Sequence, residues 1–217
     1  MTWLKCAVVS AAMITALQAQ TWEVSPYAGY LRLSKKPLGS LNSSAPKDDD
    51  TKLTARQPGY GVSVTLNTHG YYGVEVGILR SRARLVSKLI PAAGGDPVPE
   101  TGTVTQNQVF LNGICYFMPR GEWFRPFVTA GFDAQFWSAP GSTVPDWAGG
   151  SSKNLGFNYG GGIKLRIFKP VYLRLDVRDI WAGAPYGLQY GNDASGSPRS
   201  PGLYRQLQGT LGLSVTF

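Results

Sequence analysis

The chain has 217 residues, of which 43% are hydrophobic and 16% charged, with a formal net charge of +8 at pH 7. The charged fraction is low for a soluble domain, in which about a quarter of the residues are charged. No run after residue 20 reaches the ~20 apolar residues of a transmembrane helix, and the 21 lysines and arginines are scattered, which argues against nucleic-acid binding.

The N-terminus has the pattern of a secretory signal peptide. Lys5 supplies the positive start, and residues 6–17 form an apolar stretch that is too short to span a bilayer. We expect residues 1–19 to be a signal peptide and residues 20–217 to form one barrel domain; the alternative is a buried N-terminal helix. Once the signal is removed Cys115 is alone, so no intramolecular disulfide is expected.

Alternation of apolar and polar residues recurs along the rest of the chain, and no segment has convincing helical periodicity. This pattern predicts eight strands, at residues 22–33, 56–67, 71–82, 104–117, 125–137, 154–168, 171–181 and 204–217. The connections alternate between short ones and long ones rich in Gly, Pro, Ser, Asn and Asp. The long ones are residues 34–55, 83–103, 138–153 and 182–203. In an up-and-down sheet all long loops then share one end, as in transmembrane barrels with short periplasmic turns and long extracellular loops.

The two faces of each strand differ in composition. In the seventh strand Leu173 and Leu175 alternate with Arg174 and Asp176. A soluble barrel or lipocalin-like fold would place the apolar set inward, whereas a membrane barrel places it against lipid. The polar set combines small residues with charges of both signs, which suits a narrow filled interior, and an arginine facing lipid near the midplane would cost about 2–4 kcal/mol. We therefore predict an all-β fold, an eight-stranded antiparallel up-and-down transmembrane β-barrel.

Aromatic residues near the strand ends predict two interfacial belts. At the short turns these are Trp22, Tyr72, Phe117, Trp123, Phe168 and Phe217, and at the long loops Tyr30, Phe136, Trp137, Phe157 and Trp181. The faces of the first and fourth strands stay open, because Pro26 interrupts one pattern and Phe110 and Ile114 blur the other.

Three segments resemble the small eight-stranded outer-membrane barrels, a family that includes the OmpA transmembrane domain, the opacity proteins and OmpW. "RPFVTAGFDAQFW" (125–137) is similar to the fifth strand of that family and "YLRLDVRD" (172–179) to its seventh. The closing "LGLSVTF" resembles the C-terminal signal that such proteins present to the barrel-assembly machinery. The residues that match this assembly signal are Leu211, Leu213, Val215 and Phe217. The resemblance implies location in a Gram-negative outer membrane.

Charges of both signs lie on the faces predicted to point inward. They are Glu75, Asp133, Lys164, Arg166, Arg174, Asp176 and Arg178. They form either a salt-bridge network that replaces an apolar core or part of a gate or ion path. We favour the network, because eight strands enclose a space that side chains fill and unpaired buried charges are costly.

Outward-facing basic residues gather at the predicted long-loop end. They are Arg32, Arg56, Arg80, Arg82, Arg84, Lys153 and Arg205, and we call them the basic collar. Our hypothesis is that the collar contacts lipopolysaccharide phosphates, because guanidinium groups suit bidentate phosphate recognition. The alternative is that these residues are ordinary solvated strand ends.

No catalytic, metal or cofactor site is predicted. The only histidine, His69, lies in a short turn without an adjacent serine and acid. "GGGIK" (160–164) lacks the spacing of a phosphate-binding loop, and Gly160 and Gly162 are interpreted as making room in a crowded lumen.

Three functions remain open. The first is a non-enzymatic barrel, expected to be a monomer, with a role in envelope integrity or surface interaction. The second is a narrow channel for small or hydrophobic solutes, as OmpW-like relatives suggest. The third is a lipid A-modifying enzyme, against which the position of His69 argues. The expected partners are outer-membrane lipid, lipopolysaccharide and, during biogenesis, the barrel-assembly machinery, with no nucleic acid.

Overall fold

The computed structural model describes residues 21–35, 38, 51–54, 56–68, 70–89, 98–139, 150–187, 190–192, 198–199 and 202–217, so the predicted signal peptide lies outside the described residues. The strands are β1 (Thr21–Leu33), β2 (Thr51–Leu53), β3 (Arg56–Thr68), β4 (Tyr72–Leu89), β5 (Val98–Tyr116), β6 (Phe124–Ala139), β7 (Gly150–Phe168), β8 (Val171–Gly183), β9 (Tyr190–Asn192), β10 (Pro198–Arg199) and β11 (Leu203–Thr216). A short 3-10 turn covers Pro185–Gly187. Within these ranges no helix has the length and apolar character to cross a membrane.

Eight long strands in the described part of the chain close into a barrel. Their order is β4-β3-β1-β11-β8-β7-β6-β5, and β5 pairs back onto β4. All pairings are antiparallel, and the last strand meets the first, with Thr216 opposite Glu23. Every second connection is short, namely residues 69–71, 117–123 and 169–170; we call that end the short-turn end and the other the long-loop end. The predicted eight-stranded antiparallel barrel is confirmed.

Between the two ends of the barrel, most apolar residues face outward and the charged residues face inward, as the alternation predicts. Val74 and Leu213 are 48% and 47% exposed, whereas Arg174 and Lys164 are 5% and 0% exposed. A barrel in water would bury the first pair and expose the second. The outer wall is therefore built for contact with lipid, which solvates apolar side chains but cannot satisfy an open sheet edge.

The structure also resolves the faces of the two strands that the sequence left open. In β1, Glu23 and Ser25 point inward and are buried, while Trp22 points outward. In β5, Phe110 and Ile114 are buried inside the barrel. The apolar residues that blurred the pattern of β5 are thus part of the lumen filling.

The hairpin formed by β4 and β5 is longer than the predicted strands. The ladder runs from Tyr72 opposite Cys115 to Leu89 opposite Val98. Residues 83–89 and 98–103, which we expected to form a loop, therefore continue the two strands. The physical reason is visible in β4, where residues 79–85 keep the two-residue alternation, with Leu79 and Leu85 both buried.

Most of the predicted belt residues lie on the outside of the barrel. All six at the short-turn end are exposed, as are Tyr30, Phe136 and Phe157 at the long-loop end. The prediction for Trp137 is wrong, because this residue is one position out of phase with Phe136 and its side chain is 1% exposed inside the barrel. Trp181 faces outward but is partly covered, stacked on Phe157 with ring centroids 6.5 Å apart.

Two glycines in β7 allow an unusually close approach of β8. A Cβ atom on Gly160 would lie 2.1 Å from the carbonyl oxygen of Val177, and one on Gly162 would lie 2.1 Å from that of Leu175. A side chain of Phe127 is also near Gly162, at 2.7 Å. The glycines thus make room chiefly for the backbone of the neighbouring strand, a requirement of tightly curved sheets, and less for lumen side chains.

We expect Gly160→Ala to destabilise the barrel by about 1–3 kcal/mol, because the backbone of β8 must shift to admit the methyl group. The free energy of unfolding in lipid vesicles, followed by heat-modifiable gel mobility along a urea series, would measure this change. Gly209→Ala is the matched control, because nothing lies within 4 Å of its Cβ position. Equal stabilities for the two variants would contradict the backbone-approach argument.

Candidate functional site

The centre of the lumen holds two arginines and two carboxylates. Arg174 donates to Glu75 at 2.5 and 3.1 Å and to Asp176 at 2.7 Å. Arg178 donates to Glu75 at 2.8 Å and to Asp176 at 2.8 and 3.0 Å. Each carboxylate therefore bridges both guanidinium groups, and the four buried charges sum to zero. We call these four residues the central network.

Aromatic rings cover the central network from its sides. The Phe110 ring lies 4.4 Å from the guanidinium of Arg178, and the Phe127 ring lies 4.9 Å from that of Arg174. These ring faces add a cation–π attraction that strengthens where water is excluded. Phe110 and Phe127 thus pack against charge, and Phe127 also contacts Tyr116, with ring centroids 5.8 Å apart.

A second ion pair lies nearer the short-turn end. The Lys164 ammonium donates to Glu23 at 2.6 Å and to the Tyr116 hydroxyl at 2.7 Å, and Ser25 donates to Glu23 at 3.3 Å. The two-residue alternation predicts the position of Lys164 in the lumen but does not reveal its partner Glu23. The alternation of Glu23 and Ser25 with Trp22 could have revealed it, had Pro26 not obscured the face of β1.

Two residues of the predicted charge network lie elsewhere. Asp133 is buried in the lumen, but among the described residues its carboxylate accepts a hydrogen bond from Gln135, at 3.1 Å, and forms no ion pair. Arg166 is half-buried at the short-turn end and donates to the carbonyl of Gly121. Arg166 has the inward parity, but it lies one residue beyond the last residue of β7 that pairs with β6, so its side chain reaches the turn at Gly121 and not the network.

A row of amides crosses the lumen on the long-loop side of the central network. Gln57 donates to Gln106 at 2.9 Å, Gln106 to Gln206 at 3.0 Å, and Gln206 to Gln135 at 2.7 Å. The indole of Trp137 donates to Gln135 at 3.2 Å. These residues come from β3, β5, β11 and β6, so the amide row spans the interior from wall to wall.

An apolar cluster fills the barrel beyond the amide row. Its buried members are Leu33, Leu38, Leu53, Ala83, Leu85, Val104, Trp137, Ala139 and Tyr204. The Tyr204 hydroxyl donates to the carbonyl of Ser34 at 2.8 Å, which ties β11 to the chain after β1. Ions, amides and apolar groups thus fill successive levels of the lumen. A cavity beside Glu75 and Tyr27 measures about 10 Å³, at most the space of one water molecule.

Every residue of the predicted basic collar points outward and is exposed, but the collar does not encircle the barrel. Arg32, Arg56, Arg80, Arg82 and Arg84 lie on the neighbouring strands β1, β3 and β4, and we call these five the arginine patch. Lys153 lies apart on β7, opposite Phe136. In the described part of β5, β6 and β8 no lysine or arginine faces outward.

Among the described residues of β1, β3 and β4, no acidic side chain lies on the outer face beside the arginine patch. Arg32 and Arg56 are direct cross-strand neighbours, a like-charge pairing that destabilises a sheet unless an anion intervenes. In the described parts of β1, β3 and β4 the acidic residues are Glu23 and Glu75, and both are buried inside the barrel. The patch is therefore a concentrated positive surface at the outer boundary of the apolar wall.

Arg205 differs from the arginine patch because it already has a partner. It donates to Asp179 through Nε at 2.9 Å and Nη2 at 2.7 Å, and its guanidinium lies 5.4 Å from the Trp181 ring centroid. Tyr159 also donates to Asp179, at 3.1 Å. The sequence pattern does not separate Arg205 from the rest of the basic collar, because Asp179 is an acidic residue at an outward position of β8, where an apolar residue is expected.

The described residues contain no group of three or more His, Cys, Asp and Glu side chains that could hold a metal ion. His69 lies outside the described residues. A small closed barrel with an apolar outer wall, a filled polar lumen and a basic patch at one end defines the class of outer-membrane β-barrels.

The chain belongs to the family described as outer membrane protein beta-barrel domain, which it matches over residues 5–217. Among solved structures, Neisserial surface protein A has 11% identity and a TM-score of 0.54, covering 90% of this chain and 97% of that chain. The Ail protein of Yersinia pestis, solved with the heparin analogue sucrose octasulfate, has 11% identity and a TM-score of 0.50, covering 91% and 98%. The OprF barrel domain of Pseudomonas aeruginosa has 16% identity and a TM-score of 0.49, covering 91% and 97%. No curated protein sequence matches the chain.

We expect Glu75→Gln to destabilise the barrel by about 3–5 kcal/mol, because two buried guanidiniums would then share one carboxylate. Urea unfolding in lipid vesicles would measure the loss. Asp133→Asn is the matched control, since Asp133 is equally buried but has no cationic partner among the described residues. If both variants lost the same stability, ion pairing would not be what holds the lumen.

Proposed function

We propose that this chain is a non-conducting, non-enzymatic outer-membrane barrel that acts as a monomer in envelope integrity. The observation that carries the proposal is the filling of the lumen. The central network, the amide row and the apolar cluster follow one another along the barrel axis, and each is held by side chains from opposite walls. Opening a path would require breaking buried ion pairs, at a cost of several kcal/mol for each unpaired charge.

The filled lumen argues against the alternative of a narrow solute channel. A channel of this width would need a continuous polar path, whereas the apolar cluster closes the long-loop end with nine buried side chains.

A lipid A-modifying activity has less support than the channel. The only histidine, His69, belongs to the connection between β3 and β4 at the short-turn end, away from the leaflet that contains lipid A.

In planar bilayers we expect the refolded protein to give no discrete conductance steps, because the lumen offers no continuous water path. A general porin refolded and reconstituted in the same way serves as the positive control. Reproducible single-channel openings from the pure protein would contradict the proposal and favour the channel.

The arginine patch is the surface through which we propose that the barrel contributes to envelope integrity. Its five guanidiniums lie at the long-loop end and face outward, with no acid on the same face in the described parts of β1, β3 and β4. From Tyr72 to Arg80 the chain rises about 20 Å along the barrel axis, at a rise of ~3.3 Å per residue and a tilt of ~40°. Tyr72 belongs to the aromatic belt at the short-turn end, and the apolar band of such barrels is about 25 Å tall. The patch therefore begins close to the opposite boundary of the band, which is the depth of lipopolysaccharide phosphates. Each guanidinium can bind a phosphate bidentately there.

We expect Arg82→Glu to weaken binding of purified lipopolysaccharide about tenfold, the factor for loss of one charge-assisted contact of about 1.4 kcal/mol. Titration of the detergent-solubilised barrel, followed by native mass spectrometry, would measure the affinity. Lys153→Glu reverses one charge at the same end but outside the patch, and should have a smaller effect. Unchanged binding after reversal of Arg80, Arg82 and Arg84 together would exclude the patch as the contact surface.

We further propose that the outward-facing residues of β11 serve as the assembly signal for the barrel-assembly machinery. Leu211, Leu213 and Phe217 are exposed on the outer wall, and Val215 lies on the same face. Their strand pairs with β1 and closes the barrel, so recognition of β11 would precede closure.

A further inference from the structure

We propose that a groove in the outer wall beside the arginine patch is a seat for lipid A, holding one acyl chain while Arg80 and Arg82 bind a phosphate. This inference rests on the proposed contact between the patch and lipopolysaccharide, and adds to it a defined position for the lipid. The groove has a volume of about 890 Å³ and crosses five neighbouring strands, β4, β3, β1, β11 and β8.

The floor of the groove consists of positions where the outward side chain is small or absent. Gly209 has nothing within 4 Å of its Cβ position. Its cross-strand partner on β1 is Tyr30, and Ala28 lies two residues before Tyr30 on the same face. On one side Gly209 adjoins Val177, and on the other Ala28 adjoins Tyr60. A depression therefore runs diagonally over two adjacent strands.

Large side chains form the walls of this depression. Tyr30 and Tyr60 are 68% and 64% exposed, so their rings stand out from the wall on one side. Leu175 and Val177 of β8 line the other side. Lipid already solvates apolar surface, so the gain from an acyl chain here comes from close packing along a channel of matching width rather than from removal of water.

The charged end of the groove specifies the kind of lipid. Tyr60 is the direct cross-strand partner of Arg80, so the arginine lies two strands, or about 10 Å, from the floor at Ala28. Arg82 follows on the same face, and both arginines line the groove. A ligand that fits must join a phosphate to an acyl chain over about that distance.

Lipid A meets this requirement better than a glycerophospholipid does. Its phosphates and several acyl chains share one rigid headgroup, so a chain in the groove would hold the phosphates near a patch of five arginines. A glycerophospholipid brings one phosphodiester to the same surface and leaves most of the guanidiniums unpaired. The charge of the patch therefore favours the ligand with more than one phosphate.

The experiment uses Gly209→Leu, which fills the groove without a clash inside the barrel because its Cβ position is open. Gly113→Leu is the matched control. It adds the same side chain to an outward-facing glycine on β5, whose nearest neighbour to the Cβ position is a backbone oxygen at 3.9 Å. Each refolded variant is titrated with purified lipopolysaccharide, with chemically deacylated lipopolysaccharide and with phosphatidylglycerol, and binding is read by native mass spectrometry.

We expect Gly209→Leu to weaken binding of acylated lipopolysaccharide about fivefold or more, the factor that about 1 kcal/mol represents, and to leave binding of the deacylated form unchanged. Gly113→Leu should bind both forms as the wild type does. If Gly209→Leu binds like Gly113→Leu while Arg82→Glu still weakens binding, the groove is not the seat although the patch remains the contact. Equal affinity of the wild type for phosphatidylglycerol would overturn the assignment to lipid A. Unchanged binding after reversal of Arg80, Arg82 and Arg84 together would instead exclude the proposed contact between the patch and lipopolysaccharide, on which this inference rests.

Discussion

The barrel depends on the compensation of charge inside a space that side chains fill. Arg174 and Arg178 each contact both Glu75 and Asp176, so removal of any one member leaves a charge that the surroundings cannot solvate. A soluble domain of this size would hold itself together with an apolar core. Here most apolar side chains of the strands are on the outside, and four strands, β4, β5, β6 and β8, are positioned by the ions of the central network and by the rings that cover them. Lys164 of β7 and Glu23 of β1 add the second pair, which spans the seam where β11 meets β1.

The same inside-out arrangement allows residues of the outer wall to form a binding surface. Lipid imposes little selection on the shape of an apolar surface, so bulky and small residues can be distributed there without loss of stability. On β1 and β11 the small residues lie next to exposed tyrosines and close to the arginine patch. Arg205 shows the contrasting case, because Asp179 neutralises it within the wall. A charged residue on this surface is thus either paired by the protein or left available to an anion.

The strand period was predictable from the sequence, whereas contacts between strands were not. Alternation with a period of two assigns each side chain to a face, which is why the inward position of Arg174 and Lys164 followed from the sequence. It does not give the register, so the isolation of Asp133 and the partnership of Lys164 with Glu23 appear only in the structure. The alternation also does not give the depth of a residue along the barrel axis, and Arg166 has the inward parity but lies at the end of the lumen, beyond the network. Trp137 was misplaced because nearness to a strand end was given more weight than its phase.

The β4–β5 hairpin extends beyond the membrane at the long-loop end. β4 is 18 residues long, which corresponds to about 45 Å along the axis at a rise of ~3.3 Å per residue and a tilt of ~40°. The apolar band accounts for about 25 Å of that length, so paired backbone continues roughly 20 Å outward. A large molecule that arrived from outside would meet this β-ribbon before it reached the bilayer, held at that distance by the hydrogen bonds between β4 and β5.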